Sequence, residues 1–387
     1  MEVEQVLHMN SGVGQASYAN NSSLQRMVIS IARPTLKESI TEAYCNNKVF
    51  PECLRIADLG CSSSPNTLTV VSEIIHIIEA ISCQRSNQQI DKSPAFQVFL
   101  NDLPMNDFNA IFRSLPSFYE RLKKEKGDKF GTNCFITAMP GSFYGRLFPN
   151  NSMHIVHSSY SLHWLSQLIS LQINVPKELV NEQTREAHNK GNICISETSP
   201  PIVFKVYLEQ FRKDFTYFLR CRSEEIVNGG VMILTFMSST KSDSPKSIIE
   251  ILGRTLNDMA MQNIIEAESL DKFNMPLYFP NEKEVENVIQ EEGSFSLQKL
   301  NAFETAWDTG FITIENSDKK YNDDDDKLER GKYISDYMRA GLESVLVKQF
   351  GETVMDELFQ RLAYKVIESM AKEKWQHKNL VISLTKK

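Results

Sequence analysis

Two acids, each closing an apolar run, are the first residues whose type and setting suggest chemistry. After Leu54 to Ala57 comes Asp58-Leu59-Gly60-Cys61-Ser62-Ser63-Ser64-Pro65-Asn66, with one glycine for a sharp turn, then small residues, then a proline suited to a first helical turn. Backbone of that composition lets a ligand approach closely, although an ordinary strand-to-helix turn would read the same way. It is neither G-x-G-x-x-G nor G-x-x-x-x-G-K-[ST], so a pyrophosphate cofactor lacks its usual cradle. The second run, Phe96 to Leu100, ends in Asn101-Asp102, where dinucleotide folds carry the carboxylate that holds ribose hydroxyls. A small-residue turn and a ribose acid together suit a nucleoside without a diphosphate. The cationic sulfonium of S-adenosylmethionine would tolerate Asp58 and Asp102, whereas an anionic dinucleotide would not.

The elements that must hold these acids are short apolar runs of buried-strand character: 54–60, 96–102, 134–139, 154–159 and 231–237, the last after the Asn228-Gly229-Gly230 turn. Helical periods lie between them at 67–81 (Val70, Val71, Ile74, Ile75, Ile78) and 207–226 (Phe211, Phe215, Phe218, Leu219). Alternation of this kind predicts an α/β fold with a mostly parallel sheet covered on both faces. Strand-like runs at 295–303 and 379–385 flank a long helical stretch, 333–372. Two polar, helix-rich insertions interrupt the order and predict a helical cap over the carboxyl edge of the sheet. The expected layout is an arm and first core segment (1–164), a cap insertion (165–200), core (201–239), a helical cap (240–292) and closing core (293–387).

The 387 residues are 41% hydrophobic and 24% charged, which excludes disordered, collagen-like and disulfide-scaffold classes. A net charge of −7 offers no bulk attraction to nucleic acid or anionic membrane, so a small-molecule partner is expected instead. Seven cysteines without a C-x-x-C pair fit a reducing compartment, and Met1 to Ser30 lacks a basic start and an apolar run, so cytosolic residence is expected. The run Asn322 to Lys327, with four consecutive aspartates, reads as a solvated loop. His154 and His157 stand three apart in a strand-like run, point to opposite faces and cannot share a metal ion there.

Five blocks closely resemble the plant SABATH methyltransferases: Ser17-Tyr18-Ala19-Asn20-Asn21-Ser22, Ala57 to Cys61, Leu100 to Asn109, Pro140-Gly141-Ser142-Phe143-Tyr144-Gly145-Arg146-Leu147-Phe148-Pro149 and His157-Ser158-Ser159-Tyr160-Ser161-Leu162-His163-Trp164-Leu165-Ser166. The resemblance runs from Met1 to the last strand. That family methylates carboxyl groups of salicylic, benzoic and jasmonic acids or ring nitrogens of xanthines. The resemblance implies a Rossmann-like methyltransferase core with a seven-stranded sheet and helical cap, and a homodimer. It implies a cofactor site at Tyr18, Asp58, Cys61, Asn66, Asp102, Leu103, Ser142 and Phe143. Gln25, Asn10, Tyr160, His163, Trp164, Trp307, Met338 and His377 match substrate positions, with Tyr160, His163 and Trp164 nearest the chemistry. Asn189, Asp271, Phe273 and Asn274 match a place where some members hold magnesium, though Asp271 and Asn274 could equally form a turn before Pro276.

Departures from the family bear on the substrate. Ser64 replaces a common glycine and is expected to alter the turn. Asn10 stands where salicylate-type members have lysine, which removes a cationic partner for a carboxylate, although jasmonate-type members share the asparagine. Gln25 favours carboxyl readers, because an amide donates two hydrogen bonds. Against that, Lys123 to Gly131, Ala138-Met139-Pro140, Ser152-Met153-His154 and Trp307 to Phe311 look most like the xanthine-methylating members, and Phe236-Met237-Ser238-Ser239 lacks the Gly-Arg-Arg of many carboxyl methyltransferases. Gly341 would widen the pocket where valine is common, and His377 could donate to a ring oxygen. The leading expectation is N-methylation of a xanthine. The alternative is a methyl ester of an aromatic or jasmonic acid, and a cofactor-binding protein without turnover stands behind both.

Overall fold

The computed structural model describes residues 5–45, 51–85, 94–126, 133–166, 188–239, 247–311, 323–372 and 375–387. Within these, strands β1 (Cys53–Leu59), β2 (Ala95–Asp102), β3 (Cys134–Pro140), β4 (Met153–Ser159), β5 (Ile226–Ser238), β6 (Phe295–Ala306) and β7 (Gln376–Lys386) form one sheet in the order β3-β2-β1-β4-β5-β7-β6. The first five strands run parallel. β7 inserts antiparallel between β5 and β6, so it alone is reversed. The strand order turns back between β1 and β4, and ligands of open α/β sheets bind beyond the carboxyl ends at such a point. The expected α/β class and the mostly parallel seven-stranded sheet are what the structure has.

Strand periodicity divides the core. Leu54 and Ile56 of β1 and Val231 and Ile233 of β5 pack on one face, with helices α1 (Ser23–Cys45), α2 (Asn66–Arg85) and α4 (Leu115–Lys126). Ala57, Leu59, Met232 and Leu234 pack on the other, with α5 (Pro201–Glu225) and α8 (Glu282–Glu292). By length and composition α2 could cross a membrane, but 67% of its apolar window is buried, as befits a core helix. The short α3 (Phe108–Phe112) follows β2.

A third apolar cluster lies beyond the carboxyl edge, built from α6 (Ile248–Met261), α7 (Ala267–Asp271), α9 (Asp323–Phe350) and α10 (Met355–Met370). This is the helical cap. It draws on the chain's end as well as on the 240–292 insertion, whose α8 joins the core layer instead. Residues 167–187 and 240–246 of the two insertions lie outside the described residues, as do 127–132 of the block at Lys123 to Gly131.

One local expectation changes: the acidic run is no loop from Asp323 onward, because α9 begins there. The helical stretch 333–372 is divided between α9 and α10. Gly351, at φ 86°, adopts the left-handed backbone that lets the chain reverse between α9 and α10.

Candidate active site

The ends of β1, β2 and β3 are tied together by Asn101. Its carbonyl accepts the N–H groups of Gly60 and Cys61, both at 2.9 Å, and its amide donates to Met139 O at 2.7 Å and Gly141 O at 2.8 Å. The turn after β1 needs left-handed backbone at Gly60 (φ 76°) and Ser62 (φ 55°). Gly60 has no room for a side chain: a Cβ there would lie 2.0 Å from Ser161 Oγ. Ser64 does not disturb the turn as expected. Its φ is not left-handed, and its buried hydroxyl bonds Ser22 Oγ at 2.9 Å and accepts Asn66 N–H at 3.2 Å, tying the turn to the start of α1.

Asp102 sits at the centre of this crevice. One carboxylate oxygen accepts Ser62 N–H at 2.7 Å and the other Leu103 N–H at 2.8 Å, and each keeps a lone pair for a further donor. Burial raises its pKa to about 6; the two N–H groups pull downward and the Asp58 charge adds a smaller push up. The Tyr18 phenol lies against Ser62 and Asp102, and burial, then the Asp102 charge, push its pKa upward. Ser63 Oγ is buried without a protein partner. A carboxylate with spare lone pairs, an orphaned hydroxyl and a glycine turn without a Cβ are together what a ribose and its adjoining chain require, so these residues fit S-adenosylmethionine.

Several cofactor candidates turn out to face other protein groups. Both oxygens of buried Asp58 are engaged, one by Thr67 Oγ1 and one by His157 Nδ1 at 2.7 Å. Asn66 spends its amide on Ser22 and on Arg26 Nε, and so holds the N-terminal arm to the turn. The Cys61 thiol is buried against Ser62 O, and burial drives its pKa well up, which removes it as a nucleophile. Phe143 packs beside Gly60 and edge-on to Phe218, while Ser142 Oγ accepts Tyr144 N–H at 3.3 Å. Leu103 packs on the cap cluster.

The loop carrying Ser142 and Phe143 is held by a pair that residue types did not reveal. Arg222 and Glu225, at the end of α5, are fully buried and bonded at 2.7 Å. The guanidinium donates to Phe143 O and Gly145 O, each at 2.7 Å, and the carboxylate accepts Leu147 N–H at 2.6 Å and Phe148 N–H at 3.1 Å. An i,i+3 Arg–Glu pair at a helix end reads from sequence as a solvated face; only the loop's position makes it an anchor.

Next to the crevice, with Tyr18 in the shared wall, is a cavity of about 500 Å³. Gln25, Tyr160, His163, Trp164, Trp307, Met338 and His377, all expected here, line it, and Gly341 does too. His163 lies edge-on to Tyr160 at 5.7 Å and tilted to Trp164 at 6.3 Å. Trp307 stacks on Trp375 at 4.8 Å. Burial, then His377, lowers the His163 pKa to about 3, and burial lowers that of His377 to about 4, so both imidazoles are neutral at pH 7. Gln25 Oε1 and His163 Nδ1 are buried without protein partners. Asn10 is a correction: its side chain donates to Glu343 and to Ala16 O, strapping the arm to α9, and it does not line the cavity. Tyr337, whose hydroxyl meets His377 Nε2 at 3.1 Å, and Asn379, which accepts from the Tyr160 hydroxyl, belong to the site but carried no motif.

The four magnesium candidates do come together, three of them through hydrogen bonds to protein groups, with Asn274 Nδ2 buried without a partner. Asn189 Nδ2 donates to Asn274 Oδ1 at 2.9 Å, Asn189 Oδ1 accepts from Ser199 Oγ at 2.7 Å, and Asp271 accepts Gly191 N–H at 2.9 Å. Phe273 is fully buried. With one carboxylate, and both amide oxygens taken by protein donors, this arrangement does not fit a magnesium shell. The turn-forming alternative suits it better, and no chemistry is assigned to a metal. Among the described residues no other cluster of three or more His, Cys, Asp or Glu side chains could hold one.

A parallel sheet with a reversed β7, an acid closing β2 in a glycine-turn crevice and an aromatic-lined cavity beside it define an S-adenosylmethionine-dependent methyltransferase of small molecules. The model of the S-adenosylmethionine-dependent carboxyl methyltransferase family matches residues 4–387, and the chain belongs to that family, the plant SABATH methyltransferases. It is 43% identical to a probable caffeine synthase of Coffea canephora, over 100% of this chain and 98% of that one. It is 44% identical to probable jasmonic acid carboxyl methyltransferase 1 of Theobroma cacao, over 100% of both. Among solved structures, a loganic acid methyltransferase with S-adenosylhomocysteine matches 98% of each chain at a TM-score of 0.78 and 32% identity.

Proposed function

We propose that this enzyme methylates a ring nitrogen of a xanthine, with Asp102 and Tyr18 gripping the cofactor's nucleoside and the 500 Å³ cavity holding the purine. The observation that carries the reading is the polarity of the cavity wall. His163 and His377 are neutral, Gln25 presents an unpartnered oxygen, and Lys378, the one cationic side chain among the described lining residues, lies 3.8 Å from Glu304. Neutral polar groups set among aromatic walls suit a flat, uncharged heterocycle better than a carboxylate, which only accepts.

S-adenosylmethionine supplies an electrophilic methyl group on a sulfonium, and its transfer asks the protein chiefly for distance and alignment. Trp164 and the Tyr160 ring offer the faces on which a planar acceptor stacks. His163 fixes its rotation by a hydrogen bond; an imidazole held near pKa 3 is too weak a base to do more. Asp58, with His157 and Thr67, keeps the turn after β1 in register and serves the cofactor only through it.

Carboxyl methylation is the second reading, supported by Gln25, by the description of the family model and by the jasmonate-type relative. Incubation with methyl-labelled S-adenosylmethionine against xanthines and against salicylic, benzoic and jasmonic acids separates them. Label that survives mild alkali supports an N-methyl product, whereas alkali-labile label identifies an ester and overturns the first reading. We further infer a cytosolic homodimer. Its support is that all seven cysteines are unpaired, together with the family resemblance.

Asp102 gives this reading a pH signature. Its folded pKa of about 6 lies above the unfolded value of about 3.9, so its contribution to apo stability is full below pH 4 and is lost as pH rises through 6. Binding a ribose should favour the ionised form. S-adenosylhomocysteine affinity, measured by calorimetry, is therefore expected to rise several-fold between pH 5 and 7 in the wild type. In Asp102→Asn it should be weak and flat over that range; an unchanged affinity in Asp102→Asn would remove the acid from the cofactor site.

A further inference from the structure

Tyr160 enters the cavity wall from a left-handed backbone position, φ 59°, and its hydroxyl meets Asn379 Oδ1. Which group donates there is decided at the other end of the amide. Asn379 Nδ2 lies 3.3 Å from His377 O, 3.5 Å from Phe303 O and 3.2 Å from Thr305 Oγ1. Peptide carbonyls only accept, so the nitrogen must face them and the oxygen must face Tyr160. The phenol therefore donates. Asn379 is fully buried, and β6–β7 pairing sets Phe303 opposite Asn379 and Thr305 opposite His377, so the amide cannot turn over without stranding its nitrogen. The Thr305 hydroxyl accepts from Asn379 Nδ2 and so helps to hold the amide in this sense. What Tyr160 has left for a ligand is acceptor capacity alone.

We propose that Asn379 is a positioning residue that turns the Tyr160 hydroxyl hydrogen away from the cavity, so that the site selects substrates bringing an N–H or O–H donor of their own. Naming that donor as a ring N–H rests on the N-methyltransferase reading; the donor preference itself does not. A carboxylate meets a lone pair at this wall and gains no bond there. No motif marks Asn379, because its role depends on the backbone carbonyls of two neighbouring strands.

The test is calorimetry on S-adenosylhomocysteine-loaded protein with two ligand pairs: 7-methylxanthine against its fully N-methylated counterpart, and benzamide against benzoate. In each pair only the first member carries an N–H. The wild type is expected to prefer the donor-bearing member by about tenfold. Asn379→Leu and Tyr160→Phe should reduce the preference to about twofold, mainly by weakening the donor-bearing ligand, and Asn379→Asp, which keeps an oxygen toward Tyr160, should retain it. Equal weakening of both members in Asn379→Leu, or no preference in the wild type, overturns the proposal. If Asn379→Leu does not fold, Tyr160→Phe and Asn379→Asp carry the same comparison, and loss of the preference in Asn379→Asp or its survival in Tyr160→Phe overturns it. Wild-type protein that ignores xanthines yet prefers benzamide over benzoate sinks the purine reading and supports the positioning role.

Discussion

Gly60→Ala is expected to abolish measurable uptake of S-adenosylhomocysteine and to lower stability at the same time. Two costs coincide at this position. A left-handed backbone with a Cβ costs about 1–2 kcal/mol. The new methyl group would also lie 2.0 Å from Ser161 Oγ and 2.5 Å from Ser161 Cβ, and overpacking of this kind adds about 1–3 kcal/mol. Ser161 belongs to the segment that carries Tyr160, His163 and Trp164, so any relief displaces the aromatic wall as well as the crevice. Gly229→Ala is the matched control: its φ is also 76°, but a Cβ there meets nothing within 4 Å. Urea unfolding and calorimetry on both variants should show the shared backbone cost in each and the loss of binding only for Gly60. Full binding by Gly60→Ala would mean that the turn after β1 is not part of the cofactor site.

Arg222→Met carries the other large effect, about 3–5 kcal/mol of lost stability, because it strands Glu225 in a fully buried position. Arg146, with Nε 3.3 Å from Glu225, remains but is partly exposed and already shared with Glu224. The carbonyls of Phe143 and Gly145 lose their donors as well, so the loop after β3 should loosen and cofactor affinity should fall with stability. Arg222→Met combined with Glu225→Gln is expected to recover part of the stability, since the double variant leaves no buried charge. Urea unfolding of the single and double variants measures this. A single variant within about 0.5 kcal/mol of wild type, the range of ordinary surface substitutions, would show that the pair is not an anchor.

How far the molecule could be read before it was seen depends on the range of the interactions involved. The strands were legible because each is a short apolar run whose alternate residues must face two covered layers, as Leu54 and Ile56 do on one side and Ala57 and Leu59 on the other. The place of Asp102 was legible because an apolar run that closes in an acid marks the end of a second parallel strand, where nucleoside-binding folds carry a carboxylate. The cavity residues Tyr160, His163, Trp164, Trp307 and His377 were legible only through resemblance, since aromatic residues at such spacing are otherwise core. Asn10 was misread for the same reason: the motif supplied a position, and the contact with Glu343 gave its amide another task.

The aspartate run reads as a loop because like charges repel, yet acidic residues are also favoured in the first turn of a helix, and α9 starts within this run. By itself the chain determined its local chemistry: where backbone must turn, which runs must be buried, and which acid could meet a sugar. Tertiary structure alone decided that Asp58 and Asn66 are spent on protein partners, that Arg222 and Glu225 clamp a distant loop, and that Asn379 orients Tyr160. Those outcomes depend on which carbonyls, amides and charges from remote segments arrive within hydrogen-bond reach, and that proximity exists only once the sheet has brought the strands together.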